Sequence, residues 1–219
     1  MSKCQRKIRY VHVSIDDVIE CMQINNGTNK RRHFLLTILR LCNALFGLKI
    51  TLYLFRTNGT FDLKDSACVL RDYNWLKFGY HADYQSNSPI VMSSAELDES
   101  IKQVHSDIIR FSSKEHISSI IRMHFWDYRK SYISVLKKNG YTTLLVKKNQ
   151  CIEEMEYWET RLKVETCAFR EIRRVIKNYD GDKPLVIFSH EWALKRPRVL
   201  LKFIYATYLL NTQDYQFIV

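Results

Sequence analysis

A chain of 219 residues with 46% hydrophobic and 13% aromatic residues carries enough apolar surface for a folded core, which excludes a disordered or low-complexity protein. Only three prolines and six glycines occur, and no Pro- or Gly-rich linker or internal repeat divides the chain, so one domain over residues 1–219 is expected. The net charge of +11 invites an anionic partner, yet its carriers lie in separate stretches: Lys30-Arg31-Arg32, Lys137-Lys138, Lys147-Lys148, Arg173-Arg174 and Lys195-Arg196-Pro197-Arg198. They read as solvated faces, and without a DNA- or RNA-recognition motif nucleic acid is disfavoured as a partner.

No apolar stretch approaches the roughly 20 residues of a membrane span. The opening Met-Ser-Lys-Cys-Gln-Arg-Lys lacks the apolar core of a signal peptide, so a cytoplasmic protein is expected. Cys4, Cys21, Cys42, Cys68, Cys151 and Cys167 are dispersed without a Cys-x-x-Cys pair, which predicts reduced, partly buried thiols.

In chain order, Tyr10-Val11-His12-Val13-Ser14-Ile15 is a β-branched and aromatic run that ends in Asp16-Asp17. Residues 18–25 read as a short helix, 25–29 as a loop with a helix cap at Thr28 or Asn29. Apolar residues from Phe34 to Phe46 recur at helical spacing and stop at Gly47. Leu48 to Phe55 is a second strand, which makes a βαβ unit. Leu63 to Asn74 is weakly helical. Trp75 to Asp83 is a strand, and Ser93-Ser94-Ala95-Glu96 opens a long amphipathic helix. Ser118 to Trp126 is a fourth strand, residues 128–138 a helix closed by Asn139-Gly140, and Tyr141 to Val146 a fifth strand. Residues 152–179 read as partly helical, notably Glu165 to Asn178. A strand from Pro184 to Trp192, a helix from Arg198 to Leu210 and a short strand from Tyr215 to Val219 complete the count. About seven strands alternate with helices, the pattern of an incomplete parallel α/β barrel.

In such barrels the active site forms at the C-terminal ends of several strands. Asp16, Asp17, His81, His124 and His190 all fall at predicted strand ends. Side-chain alternation relaxes where a chain leaves a strand, so both carboxylates can face one cleft; the local sequence equally allows one of them to cap the following segment. Two adjacent carboxylates in a cleft need a cation or a shared proton. Carboxylate and imidazole together suit zinc and similar divalent ions, and a second carboxylate and a free histidine supply general base and general acid for amide or ester hydrolysis. Trp75, Trp126, Trp158 and Trp192 suit core packing or, near a barrel mouth, stacking against sugar.

The ordered motifs Ser14-Ile15-Asp16-Asp17, Ile50 to Phe55, Phe78-Gly79-Tyr80-His81, Arg122 and Ile187-Phe188-Ser189-His190 resemble those of the polysaccharide deacetylases, metal-dependent carbohydrate esterases. The resemblance covers most of the chain. It implies Asp16 as general base, Asp17 and His81 as metal ligands, Arg122 as orienting the base, and His190 as general acid. It further implies a divalent metal, zinc first, and an N- or O-acetylated sugar or oligosaccharide as substrate. The family's second metal-binding histidine falls on Gln85, the glycine after its paired aspartates is Val18, and Met123-His124-Phe125-Trp126 replaces its Pro-rich motif. His124 is therefore the candidate for the missing ligand beside Gln85, ahead of Asp83. A catalytically silent glycan-binding relative is the alternative function.

Overall fold

A computed structural model describes residues 8–23, 34–84 and 86–219. Cys4, Gln85, the proposed cap at Thr28 or Asn29 and the basic run at residues 30–32 lie outside the described residues. The elements are β1 (Arg9–Val18), α1 (Phe34–Phe46), β2 (Ile50–Thr57), β3 (Leu76–Tyr84), α2 (Ser94–Phe111), β4 (Ile120–Ile121) and α3 (Tyr132–Lys138). They continue with β5 (Thr143–Val146), β6 (Glu156–Lys163), α4 (Phe169–Asn178), β7 (Leu185–His190), α5 (Glu191–Leu194), α6 (Pro197–Thr212) and β8 (Tyr215–Phe217).

Strands β1 to β7 are joined in the order β3-β2-β1-β7-β6-β5-β4, every pairing parallel. Among the described residues, the seam between β3 and the segment leading into β4 is closed by an isolated bridge from Phe78 to Ile117. The result is a nearly closed α/β barrel ringed by helices, the fold class expected from the strand–helix alternation. Strand β8 pairs with the first residues of β1, outside that order.

Seven barrel strands were expected and seven are found, but the sets differ. The expected seventh was the C-terminal run, which is β8. The true one is β6, inside a stretch that reads as partly helical. Only Trp158 and Leu162 of it are buried, four residues apart, a spacing that a helix shares, and a register shift against β7 between Thr160 and Leu162 interrupts its alternation. Other boundaries contract: of the expected helix 18–25, the described residues 18–23 hold only a single helical turn at Glu20–Met22, 63–74 only one at Leu63–Asp65, and the 118–126 run is strand only at Ile120–Ile121. Helix α2 begins as its sequence demands, with Ser93 and Glu96 forming a reciprocal capping box. Gly47 ends α1 at φ +66°, a left-handed conformation that glycine adopts without strain. No disulfide joins the described cysteines, and all but Cys151 are buried. Among the described residues no helix is long and apolar enough to cross a membrane.

Two apolar layers result from strand alternation. Val11, Val13 and Ile15 of β1 face outward into the main core under the helices. A smaller cluster of Tyr53, Ile120, Leu145, Trp158 and Val186 fills the barrel interior, with Ile218 packed against it. That interior is partly polar. The Tyr53 ring lies across Gly79, where a Cβ would come within 2.7 Å of it. Its hydroxyl donates to the Ile120 carbonyl at 3.1 Å and sits 3.3 Å from His12 Nε2. His12 Nδ1, 3.1 Å from the Ile218 carbonyl, must carry the proton, because a carbonyl can only accept.

Burial pushes the His12 imidazole down to about 3, helped by the Arg122 charge and opposed by the Ile218 carbonyl. The folded state therefore refuses a proton that the unfolded chain accepts near pH 6.5. This contribution to stability is complete above that value and is lost as pH falls toward 3. Between about pH 7 and pH 4.5 the loss amounts to about 2 kcal/mol. Urea unfolding of wild type and His12→Gln at both pH values should show the wild type losing about that much more stability; equal losses would mean that His12 is solvated in the fold.

Candidate metal centre

Two irregularities in the sheet turn strand-end side chains into one cleft. Along β1 the register with β2 runs from Ile15 opposite Leu52 to Val18 opposite Leu54, so Asp16 and Asp17 share a single step of the neighbour. This is a β-bulge, and Asp17 completes it at φ 59°, a left-handed conformation that aspartate tolerates better than most residues. Alternation is broken there, and both carboxylates line the same cleft. In β3 the extra residue falls at His81, between Leu54 opposite Tyr80 and Phe55 opposite Ala82. His124 arrives from the turn after β4, where Phe125 and Trp126 take φ of 56° and 63°.

Asp17 Oδ1 lies 3.2 Å from His81 Nε2 and 3.4 Å from His124 Nδ1, and the two nitrogens are 3.2 Å apart. His81 Nδ1 donates to the Arg122 carbonyl at 2.7 Å, which leaves a lone pair on the Nε2 that faces the carboxylate. Asp17 Oδ1 is itself buried without a hydrogen-bond donor. The lone pairs of Asp17 Oδ1 and His81 Nε2 repel at this range unless a cation, or a proton on His124 Nδ1, lies between them. Tetrahedral bonds of about 2.0–2.1 Å would place three ligand atoms about 3.3–3.4 Å apart, close to the observed spacing. These three residues thus fit a divalent ion and leave one face of it open to the cleft.

Asp16 is served differently. Its Oδ2 lies 3.3 Å from Arg122 Nε, and Ser14 Oγ donates to its Oδ1 at 3.3 Å. The Arg122 guanidinium is buried between the rings of Trp126 and Phe188, at 4.4 and 4.2 Å from their centroids, and Nη1 donates to Thr160. Burial lowers the Arg122 pKa and the Asp16 carboxylate opposes the fall. Across the cleft His190, level with Asp16 in the β1–β7 ladder, bonds through Nδ1 to Glu165 Oε1. Burial would raise the Glu165 carboxyl, but its bond to His190 and the charge on that ring outweigh burial and hold it below the ordinary range. His190 stacks on Trp192 at 5.3 Å, and Trp192 Nε1 donates to Asp17 Oδ2 at 3.0 Å.

No protein-family model matches the chain, and no curated protein matches it by sequence. Solved structures match over nearly its whole length. A family 4 carbohydrate esterase from Streptomyces lividans aligns over 96% of this chain and 92% of its own at 15% identity and a TM-score of 0.59. A polysaccharide deacetylase from Bacillus cereus aligns over 95% and 90% at 14% identity and a TM-score of 0.56. A CE4 family pseudoenzyme from Bacillus anthracis aligns over 96% of this chain and 63% of its own at 12% identity and a TM-score of 0.62. The fold is that of the polysaccharide deacetylases.

On this deacetylase fold, the described catalytic and ligand candidates converge with one exception, Asp83. Asp16, Asp17, His81, Arg122, His124 and His190 all line one cleft of about 560 Å³. Asp83, the weaker candidate ligand, points elsewhere: Arg56 pairs with it at 2.6 Å and Ser100 donates to it at 2.5 Å. Gln85 lies outside the described residues. Of the tryptophans, Trp126 and Trp192 line the cleft, while Trp75 and Trp158 are buried.

Sequence reading missed Glu165 and Glu191. Glu165 stands just past the end of β6, and nothing in that strand's sequence marks where the strand ends. Glu191 directly follows His190, and its buried carboxylate accepts from the backbone amides of Ile19, Glu20 and Cys21 at 2.8, 2.8 and 2.7 Å. It thereby clasps the segment after Asp17 to the end of β7. Glu191→Gln turns one acceptor into a donor against those amides and should cost about 2–3 kcal/mol in urea unfolding. A loss under about 0.5 kcal/mol would show that the segment holds without the clasp.

Proposed function

We propose that the protein is a metal-dependent hydrolase, acting through a single deacetylase-like domain to remove an acyl group, acetyl first, from an amino sugar or related carbohydrate. The observation that carries this reading is the close approach of Asp17 Oδ1, His81 Nε2 and His124 Nδ1 around a buried oxygen that no donor satisfies. In the reading, Asp17, His81 and His124 hold a divalent ion, zinc first, with Gln85 as a further candidate ligand. When bound, such an ion polarises an acyl carbonyl and lowers the pKa of water.

The remaining work falls to side chains. Asp16, oriented by Arg122, accepts the proton of the water that attacks the acyl carbon. Its carboxylate is aimed by the guanidinium that lies against it. His190 turns Nε2 to the cleft while Glu165 engages Nδ1, an arrangement that fixes the orientation of the ring. That Nε2 then protonates the leaving nitrogen or oxygen as its bond to the acyl carbon breaks. The products are a carboxylate and a free amine or hydroxyl. Trp126, Trp192 and Phe125 supply apolar faces for a sugar ring at the mouth.

The alternative is a catalytically silent glycan-binding relative. It is favoured by the absence of a histidine at position 85 and by the equally good structural match of a CE4 family pseudoenzyme.

Elemental mass spectrometry of protein purified without chelator, with an acetate-release screen on chitin oligosaccharides, tests the reading. Wild type should hold about one divalent ion, and Asp17→Ala, His81→Ala and His124→Ala should each lose it. Asp16→Asn should keep the ion and lose activity by at least about a hundredfold. Unchanged metal content in His124→Ala would remove that residue from the centre. Metal-loaded wild type that releases no acyl group from any acetylated sugar would favour the silent relative.

A further inference from the structure

The wall of the cleft opposite the carboxylates is cationic. Lys147 and Lys148 directly follow β5, and Lys163 ends β6, the strand paired beside it. All three line the same cleft as Asp16 and Asp17. The side chains of Lys147 and Lys148 are exposed and pair with no carboxylate among the described residues. Lys163 Nζ sits 3.4 Å from Glu165 Oε1 and 5.7 Å from the Phe188 ring centroid. Its one carboxylate partner is shared with His190 and Ser189, so its charge is only partly offset.

Among the described residues, the only carboxylates lining the cleft are Asp16 and Asp17, and they belong to the opposite arc. Asp16 is matched by Arg122, and Asp17 faces imidazoles. Charge is therefore segregated across the mouth, with the hydrolytic groups on β1, β3 and β7 and after β4, two unpaired ammonium groups after β5 and a third, only partly offset by Glu165, at the end of β6. A lysine run is ordinarily a solvated face. Here three lysines from adjacent strand ends converge on one concavity, where low-dielectric walls concentrate their field. A neutral sugar would leave that field unused.

We propose that the ligand of this cleft is a sugar bearing an anionic group, phosphate or carboxylate, seated against Lys147, Lys148 and Lys163 while its acyl group lies over Asp16 and Asp17. The placement of the acyl end rests on the hydrolase reading; the anionic subsite does not.

Calorimetric titration of wild type with N-acetylglucosamine, N-acetylglucosamine 6-phosphate and N-acetylmuramic acid tests the proposal and separates the two anions. At low salt at least one anionic sugar should bind about tenfold tighter than the neutral one, in keeping with a few partly screened charge pairs. The advantage should shrink as salt rises. In Lys147→Gln/Lys148→Gln it should fall to about threefold or less, and Lys163→Gln should reduce it further. These substitutions lie on exposed or half-exposed side chains, so folding is retained; Asp17→Ala, which addresses the metal instead, should keep the preference. Anionic and neutral sugars binding alike, or not at all, would overturn the proposal. So would a preference that survives loss of the lysines, since the anion would then be held elsewhere. A lysine-dependent preference without acyl release would leave the anionic subsite standing and discard the hydrolase.

Discussion

Two carboxylates on consecutive residues, both turned into one concavity, repel each other and cannot stay ionised there unaided. The structure gives each its own positive environment. Asp16 receives a buried guanidinium, and Asp17 faces two imidazole nitrogens with room for a cation. His81 comes from β3, and Arg122 and His124 from the segment that follows β4, so this part of the cleft wall is specified by the need to separate these two charges. The Arg122 carbonyl also fixes the tautomer of His81, which ties the two environments together through one residue.

The backbone carries part of the same burden. A regular strand would send Asp16 and Asp17 to opposite faces, one into the barrel and one under the helices. The bulge and the left-handed Asp17 bring them round to one side, and the Glu191 carboxylate collects three amides of the segment that follows. Because Glu191 adjoins His190, one residue joins the strand end that bears the paired carboxylates to the strand end that bears the histidine opposite. The position of that histidine relative to Asp17 is thus set by the β1–β7 ladder, in which His190 is level with Asp16, together with this clasp, and the two side chains approach to 3.9 Å.

What could be read from the sequence was the part that alternation reports. The βαβ pattern gave the barrel, and the rule that strand ends carry chemistry gathered Asp16, Asp17, His81, His124 and His190, since each follows an apolar run that is easy to recognise. Strand β6 escaped because Glu156-Tyr157-Trp158-Glu159-Thr160-Arg161-Leu162-Lys163 buries few residues and sets charged ones between them, so no apolar run marks the strand. With β6 went Glu165, whose meaning depends on where the strand ends. Asp83 misled for the opposite reason. It follows His81 at strand spacing, but the bulge at His81 shifts what comes after, and Asp83 turns to Arg56 and Ser100 of α2.

The turn after β4 bears on how the centre is assembled without a histidine at position 85. Phe125 and Trp126 are consecutive left-handed residues with bulky side chains, each costing of order 1–3 kcal/mol against an ordinary conformation. Such strain persists only where surrounding contacts over-determine it. Here the contacts lie on either side of the kink: His124 closes on His81 and Asp17, while Trp126 lies on the Arg122 guanidinium. An unstrained turn would let one of those side chains reach its partner and swing the other away. The kink therefore serves both carboxylates at once, delivering an imidazole toward Asp17 and an aromatic wall that keeps the arginine of Asp16 dry.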